Sequence, residues 1–132
     1  MVQMSWLPRG CNELGAKEEY CSPAMGTFHD GTTTVFLNAY VASRSWEFWV
    51  THLGGEKQAQ KYEVKIAVSH DRSPNSITFQ GKLYGADTSK LQIDDEKDKE
   101  GVMELSKSLM KKLGTMENGE LHIPMNFELV RK

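Results

Sequence analysis

Along most of this chain apolar positions recur every second residue, the period of a pleated strand whose successive side chains face opposite ways. Residues 33–41 carry Val35, Leu37, Ala39 and Val41 on one side and Phe36 and Tyr40 on the other. Residues 46–53 set Trp46, Phe48, Val50 and His52 against Glu47, Trp49, Thr51 and Leu53. Both stretches have bulky groups on both faces, which fits either a central strand of a layered fold or a strand with a contact surface on its outer side. Ala42-Ser43-Arg44-Ser45 between them has the length of a hairpin loop. Residues 62–68 alternate cleanly, with Tyr62, Val64, Ile66 and Val68 inward and Glu63, Lys65 and Ala67 outward. His70-Asp71-Arg72-Ser73-Pro74-Asn75 is a turn by composition, and a further strand spans 77–84 through Ile77, Phe79, Gly81 and Leu83.

Residues 85–100 read as a polar excursion ending in Asp94-Asp95-Glu96-Lys97-Asp98-Lys99-Glu100, where five acids and two lysines predict a solvated, mobile loop. A short apolar piece at 102–105 precedes a brief helix capped by Ser106 or Ser108. That helix turns Leu109, Met110 and Leu113 inward, places Lys111 and Lys112 at its negative end and stops at Gly114. Asn118-Gly119 predicts a tight turn. Residues 121–130 form the longest strand, in which Leu121, Ile123, Met125, Phe127 and Leu129 alternate with His122, Pro124, Asn126 and Glu128. Pro124 has no N–H for a ladder, so this strand is expected at a sheet edge or bulged at that point. Residues 1–31 are punctuated by Pro8, Gly10, Gly15, Pro23, Gly26 and Gly31; they read as loops with either a helical turn over 13–20 or short extended pieces near Trp6 and Met25–Phe28. The pattern predicts an all-β fold with one short helix, an antiparallel β-sandwich. Residues 1–31 form its N-terminal segment, with a candidate edge strand, and 32–132 the sandwich of the same single domain.

A length of 132 residues holds one domain, and 39% apolar with 26% charged residues is ordinary globular composition. The net charge of −2 lacks the positive excess of a dedicated nucleic-acid or polybasic membrane binder, so neither partner is expected. There is no apolar run long enough for a membrane helix. Residues 1–6 lack the layout of a signal peptide, and Cys11 and Cys21 are too few for a disulfide scaffold. The expectation is an intracellular protein, cytoplasmic or nuclear.

Catalytic and metal chemistry find little footing. His29, His52, His70 and His122 with the two cysteines are the conceivable zinc ligands, but nine residues intervene between the cysteines and no close pair exists. No phosphate loop, nucleophile elbow or paired-histidine zinc motif occurs. Ser69-His70-Asp71 are neighbours in sequence, which is how a turn is built rather than a triad. No enzyme activity, cofactor or metal is expected. The aromatic residues carry more. An outward tryptophan beside an open strand edge is a protein-binding anchor, and Trp49, Trp46, Tyr40, Phe28 and Met25 are the candidate partner-binding residues. A tryptophan covered by the N-terminal 31 residues is the competing reading.

Residues 49–66 read Trp-Val-Thr-His-Leu-Gly-Gly-Glu-Lys-Gln-Ala-Gln-Lys-Tyr-Glu-Val-Lys-Ile. This resembles the substrate-binding domain of seven-in-absentia ubiquitin ligases, a branch of the TRAF-like β-sandwiches. There a strand ends as in Leu53-Gly54, a turn carries Lys57-Gln58-Ala59, and an aromatic-led strand follows as in Tyr62 to Ile66. Ile77-Thr78-Phe79-Gln80-Gly81, the segment Ser106 to Leu113, and Asn118-Gly119-Glu120-Leu121 extend the resemblance over about residues 32–130. Residues 1–31 and Pro124 depart from the family pattern. The resemblance implies a TRAF-like fold that recognises an extended protein or peptide partner at a sheet edge. It also implies the substrate-recognition role in a ubiquitin ligase or TRAF-type zinc-finger protein, catalysis in a separate RING domain, and a homodimer. The rival readings are a homo-oligomerisation domain and a small-ligand-binding β-barrel.

Overall fold

Alternation becomes strand wherever one set of alternate residues has a core to enter. In the computed structural model, residues 2–6, 19–20, 24–27, 34–42, 44–69, 76–95, 99–117 and 120–132 are described. In chain order the elements are β1 (Val2–Trp6), β2 (Glu19–Tyr20), β3 (Ala24–Thr27), β4 (Thr34–Val41), β5 (Ser45–His52), α1 (Glu56–Ala59), β6 (Tyr62–Ser69), β7 (Ser76–Lys82), β8 (Tyr84–Gly85), α2 (Lys90–Asp94), β9 (Met103–Ser106), α3 (Lys107–Leu113), β10 (Thr115–Glu117) and β11 (Glu120–Arg131).

The fold is all-β with short helices. One sheet runs β1-β11-β6-β7, with β10 folded back on β11. The other runs β2-β4-β5-β8, with β3 also on β4 and β9 also on β5. The inward residues of both sheets meet in a single apolar core. Val35, Leu37, Ala39 and Val41 of β4 and Trp46, Phe48 and Val50 of β5 pack with Val64, Ile66 and Val68 of β6 and Ile123, Met125 and Phe127 of β11. Trp46 and Phe48, two apart on one face, stack with ring centroids 6.2 Å apart. Met110 and Leu113 of α3 enter the same core. Ser106 caps that helix by accepting the Leu109 N–H at 3.2 Å, one of the donors a helix start leaves over. Gly114 ends it in extended backbone (φ −92°), not in the left-handed conformation of a glycine cap.

Several expectations change. The segment 77–84 is not one strand: β7 stops at Lys82, and Tyr84 crosses to the other sheet, where β8 runs parallel to β5. There are three short helices among the described residues rather than one. Glu56-Lys57-Gln58-Ala59, all good helix formers, turn once after Gly55, whose φ of +87° is the left-handed region that favours glycine. Pro124 stands in a strand with neighbours on both sides, without a bulge in its pairing to β1. Its missing N–H is tolerated because of the register. Lys132 N donates to Lys61 O at 2.9 Å, so the even-numbered backbone groups of β11 face β6. Pairing with β6 ends at Met125, one residue before the proline, so no rung is lost. The turns expected at 70–75 and Asn118-Gly119 and both cysteines lie outside the described residues; of the helical turn expected over 13–20, Glu19–Tyr20 form strand β2 instead and the rest lies outside them.

Phe48 is wholly buried beside Trp46, so Phe48→Ala leaves a cavity between the sheets. Urea unfolding should show a loss of about 3–5 kcal/mol; a loss below about 1 kcal/mol would mean the two sheets do not meet there.

Candidate functional site

The outward residues of β4 and β5 lie in register: Phe36 opposite Thr51, Asn38 opposite Trp49 and Tyr40 opposite Glu47. A sheet face of this kind is wetted unless something lies on it. Here Trp49 is only 6% exposed and Thr51 is buried. The cover is the chain between Tyr84 and Val102. Tyr84 and Ile93 pack with Trp49 into a second apolar cluster, with Tyr40 and Val102 at its margin. Ile93 on α2 is 1% exposed. On the same face Asn38 shares its amide hydrogens among Phe36 O, Trp49 O and Thr51 Oγ1 at 3.2–3.3 Å, which satisfies a polar group in a half-buried place.

This strap is fastened at both ends. Gly101 N donates to the Tyr84 hydroxyl at 3.2 Å. Lys99 Nζ lies 3.6 Å from Glu47 and 3.8 Å from Asp94. At the other end Glu56 Oε2 accepts from Gly85 N at 2.8 Å and from Thr88 Oγ1 at 3.3 Å, tying α1 to the strap's first turn. A cleft of about 240 Å³ opens beside this tie, lined by Glu56, Lys82, Tyr84, Asp87, Thr88 and Gln92. Its best-held acceptor, the Glu56 carboxylate, is already spent on the strap, so the cleft reads as the seam of a structural joint.

The expected site residues therefore separate. Trp46 is fully buried between the sheets and Trp49, on the outer face, is covered by the strap, so neither ring is exposed. Tyr40 is half-buried on the covered face, and Met25 stands in β3 opposite Phe36. Phe28 lies outside the described residues. The solvated excursion expected at 85–100 is corrected in one respect: its polar residues such as Asp87, Gln92, Asp94 and Asp95 are exposed, but Ile93 is pulled onto the sheet.

What sequence reasoning missed is the edge at β7. This strand pairs with β6 on one side and with no other described strand. Two hydrogen bonds fix which of its backbone groups face outward. Lys82 N donates away from β6, to Glu100 O at 3.3 Å. The Lys132–Lys61 bond turns the odd-numbered groups of β6 toward β11, which leaves those of Val64, Ile66 and Val68 for β7. The register matches these to Gly81, Phe79 and Ile77. The N–H and C=O groups of Ser76, Thr78 and Gln80 therefore point to the open side. Ser76, Thr78 and Gln80 have exposed side chains, while Ile77 and Phe79 are half-buried against the main core. The uncharged run Ser-Ile-Thr-Phe-Gln was the available signal, since edges are commonly guarded by charge or proline.

No group of three or more His, Cys, Asp or Glu side chains able to hold a metal occurs among the described residues. No described helix is long and apolar enough to cross a membrane. His52 is buried, accepting the Gly54 N–H on Nδ1 at 2.8 Å and stacking near Tyr62, a structural arrangement. No protein-family model matches the chain, and no curated protein matches it in sequence.

Trp49→Ala should lower stability by about 3–5 kcal/mol and Ile93→Ala by about 2–4 kcal/mol. Because the two side chains share one cluster, the double variant should fall short of their sum in urea unfolding. Full additivity would mean that the strap does not rest on Trp49.

Proposed function

We propose that this chain is a non-catalytic protein-interaction domain that recognises an extended partner segment by strand addition to the open edge of β7. The observation that carries the reading is the row of outward backbone groups at Ser76, Thr78 and Gln80, with no described strand beside them. An extended segment laid there exchanges hydrogen bonds rung by rung, and its side chains alternate between the core side and the outer side. The resemblance to seven-in-absentia substrate-binding domains supports the finer reading: the substrate-recognition part of a ubiquitin ligase or of a TRAF-type zinc-finger protein, with a TRAF-like sandwich as its fold. The residues assigned to recognition are now those of the β7 edge; Trp49 and Trp46 support the fold that presents it.

The test uses a substitution that removes one outward donor and nothing else. Thr78→Pro deletes an N–H that makes no bond to β6, whereas Phe79→Pro deletes one that does. A peptide recovered from a random library on the wild-type domain should lose about tenfold or more in affinity for Thr78→Pro, about the worth of one well-made hydrogen bond and the fit around it. The melting temperature should stay close to wild type. Phe79→Pro should lose stability instead. Unchanged affinity for Thr78→Pro would move the partner away from this edge.

A further inference from the structure

The edge of β7 is short and has a built-in stop. At Lys82 the outward N–H is already engaged by the Glu100 carbonyl, the bond a visiting strand would otherwise make there. The turn that carries Glu100 is pressed against the strand so closely that a Cβ at Gly81 would collide with that same carbonyl, and a Cβ at Gly101 would collide with the carbonyl of Lys82. The chain's own return has taken the last rung. A visitor is confined to the stretch from Ser76 to Gln80.

Within that stretch the chemistry is asymmetric. Rungs at Ser76, Thr78 and Gln80 are hydrogen-bonding positions, where opposed side chains stand farther apart. Ile77 and Phe79 are the non-bonded positions between them, where opposed side chains come closest. Both pack on the main core and both are half-exposed, so the core runs out at this edge with its rim uncovered. The outward residues at the rungs carry no charge, and Gln80 is turned toward Glu63 of the neighbouring strand, with Nε2 and Oε2 3.3 Å apart.

Resting on the reading that β7 receives a strand, we propose that the partner is a short extended segment of another protein with two bulky apolar residues two positions apart and uncharged small polar residues around them. The apolar pair covers Ile77 and Phe79 and lengthens the core by one strand. β-Branched and aromatic residues fit best, because they are the side chains that pair most favourably across a ladder. An acidic or basic residue at either of these two positions would be held against the apolar rim and strip its own hydration. The intervening residues face solvent beside Thr78 and Gln80 and tolerate substitution.

The experiment titrates the ¹⁵N-labelled full chain with four capped heptapeptides and follows backbone amide shifts. The first, Ser-Thr-Val-Thr-Val-Thr-Ser, carries valines two apart. The second places the two valines side by side, the third replaces both with glutamate, and the fourth is serine and threonine throughout. The first should bind at least tenfold tighter than each of the others, with shifts running through Ser76, Thr78 and Gln80. Shifts along β7 of equal strength for all four would keep the edge as the binding site and overturn the apolar-pair requirement. No shift along β7 with any peptide would overturn the requirement and the strand-addition reading together. A concentration-dependent doubling of mass in light scattering that Thr78→Pro abolishes would put a second copy of this chain on the edge and overturn a heterologous partner.

Discussion

β5 sends Trp46, Phe48 and Val50 into the space between the sheets and Trp49 and Thr51 to the opposite side, and all five are buried. Burying both faces of one strand in a two-sheet fold requires a third layer, which here is the strap from Tyr84 to Val102. The strap's path follows from that demand. After Lys82 the chain leaves one sheet, pairs for two residues with β5 in the other, and drops Ile93 onto Trp49. It then returns so that Gly101 reaches the Tyr84 hydroxyl. Each fully buried side chain of this size is worth about 1.5–3 kcal/mol, so a small cluster of them is enough to hold an otherwise polar segment down.

The same path decides what stays open. One excursion had two surfaces to cover, the outer face of β5 and the outer edge of β7. It covers the face and reaches only the end of the edge, where the Glu100 carbonyl takes the Lys82 N–H. Lys99, the residue before that contact, sits at φ +42°, a conformation uncommon for a side-chain-bearing residue and the place where the strap bends back. The rest of β7 keeps its outward row of backbone groups. The open edge is thus what remains after the tryptophan has been buried, and Trp49 and Trp46 stabilise the fold beside that edge without lying on it.

Strands β4, β5, β6 and β11 were legible in the sequence because each feeds one set of alternate residues to a shared core, and a period of two is visible without knowing the partner strand. The cap at Ser106 was legible because capping is local. Three features depended on partners that no local pattern shows. Trp49 and Trp46 look alike in an alternating strand, and which one is covered, and by what, depends on a segment forty residues away. Ile93 stands with Leu91 in a stretch otherwise dominated by charged and polar residues, so composition read it as solvated. Pro124 argued for an edge, yet the rung it would have broken falls just past the end of the β6 pairing. The β7 edge itself was hidden for the same reason: whether a strand has one neighbour or two is a property of topology.

The most direct test of the open edge is native-state hydrogen exchange along β7, read amide by amide. Bonded amides in the interior of a sheet exchange only through opening, whereas amides facing solvent exchange without it. The account predicts alternation: Ile77, Phe79 and Gly81 protected to the level of their β6 partners, and Thr78 and Gln80 exchanging as freely as an exposed chain. Strong protection at Thr78 and Gln80 in the isolated protein would mean that the edge is already occupied, and would contradict the account.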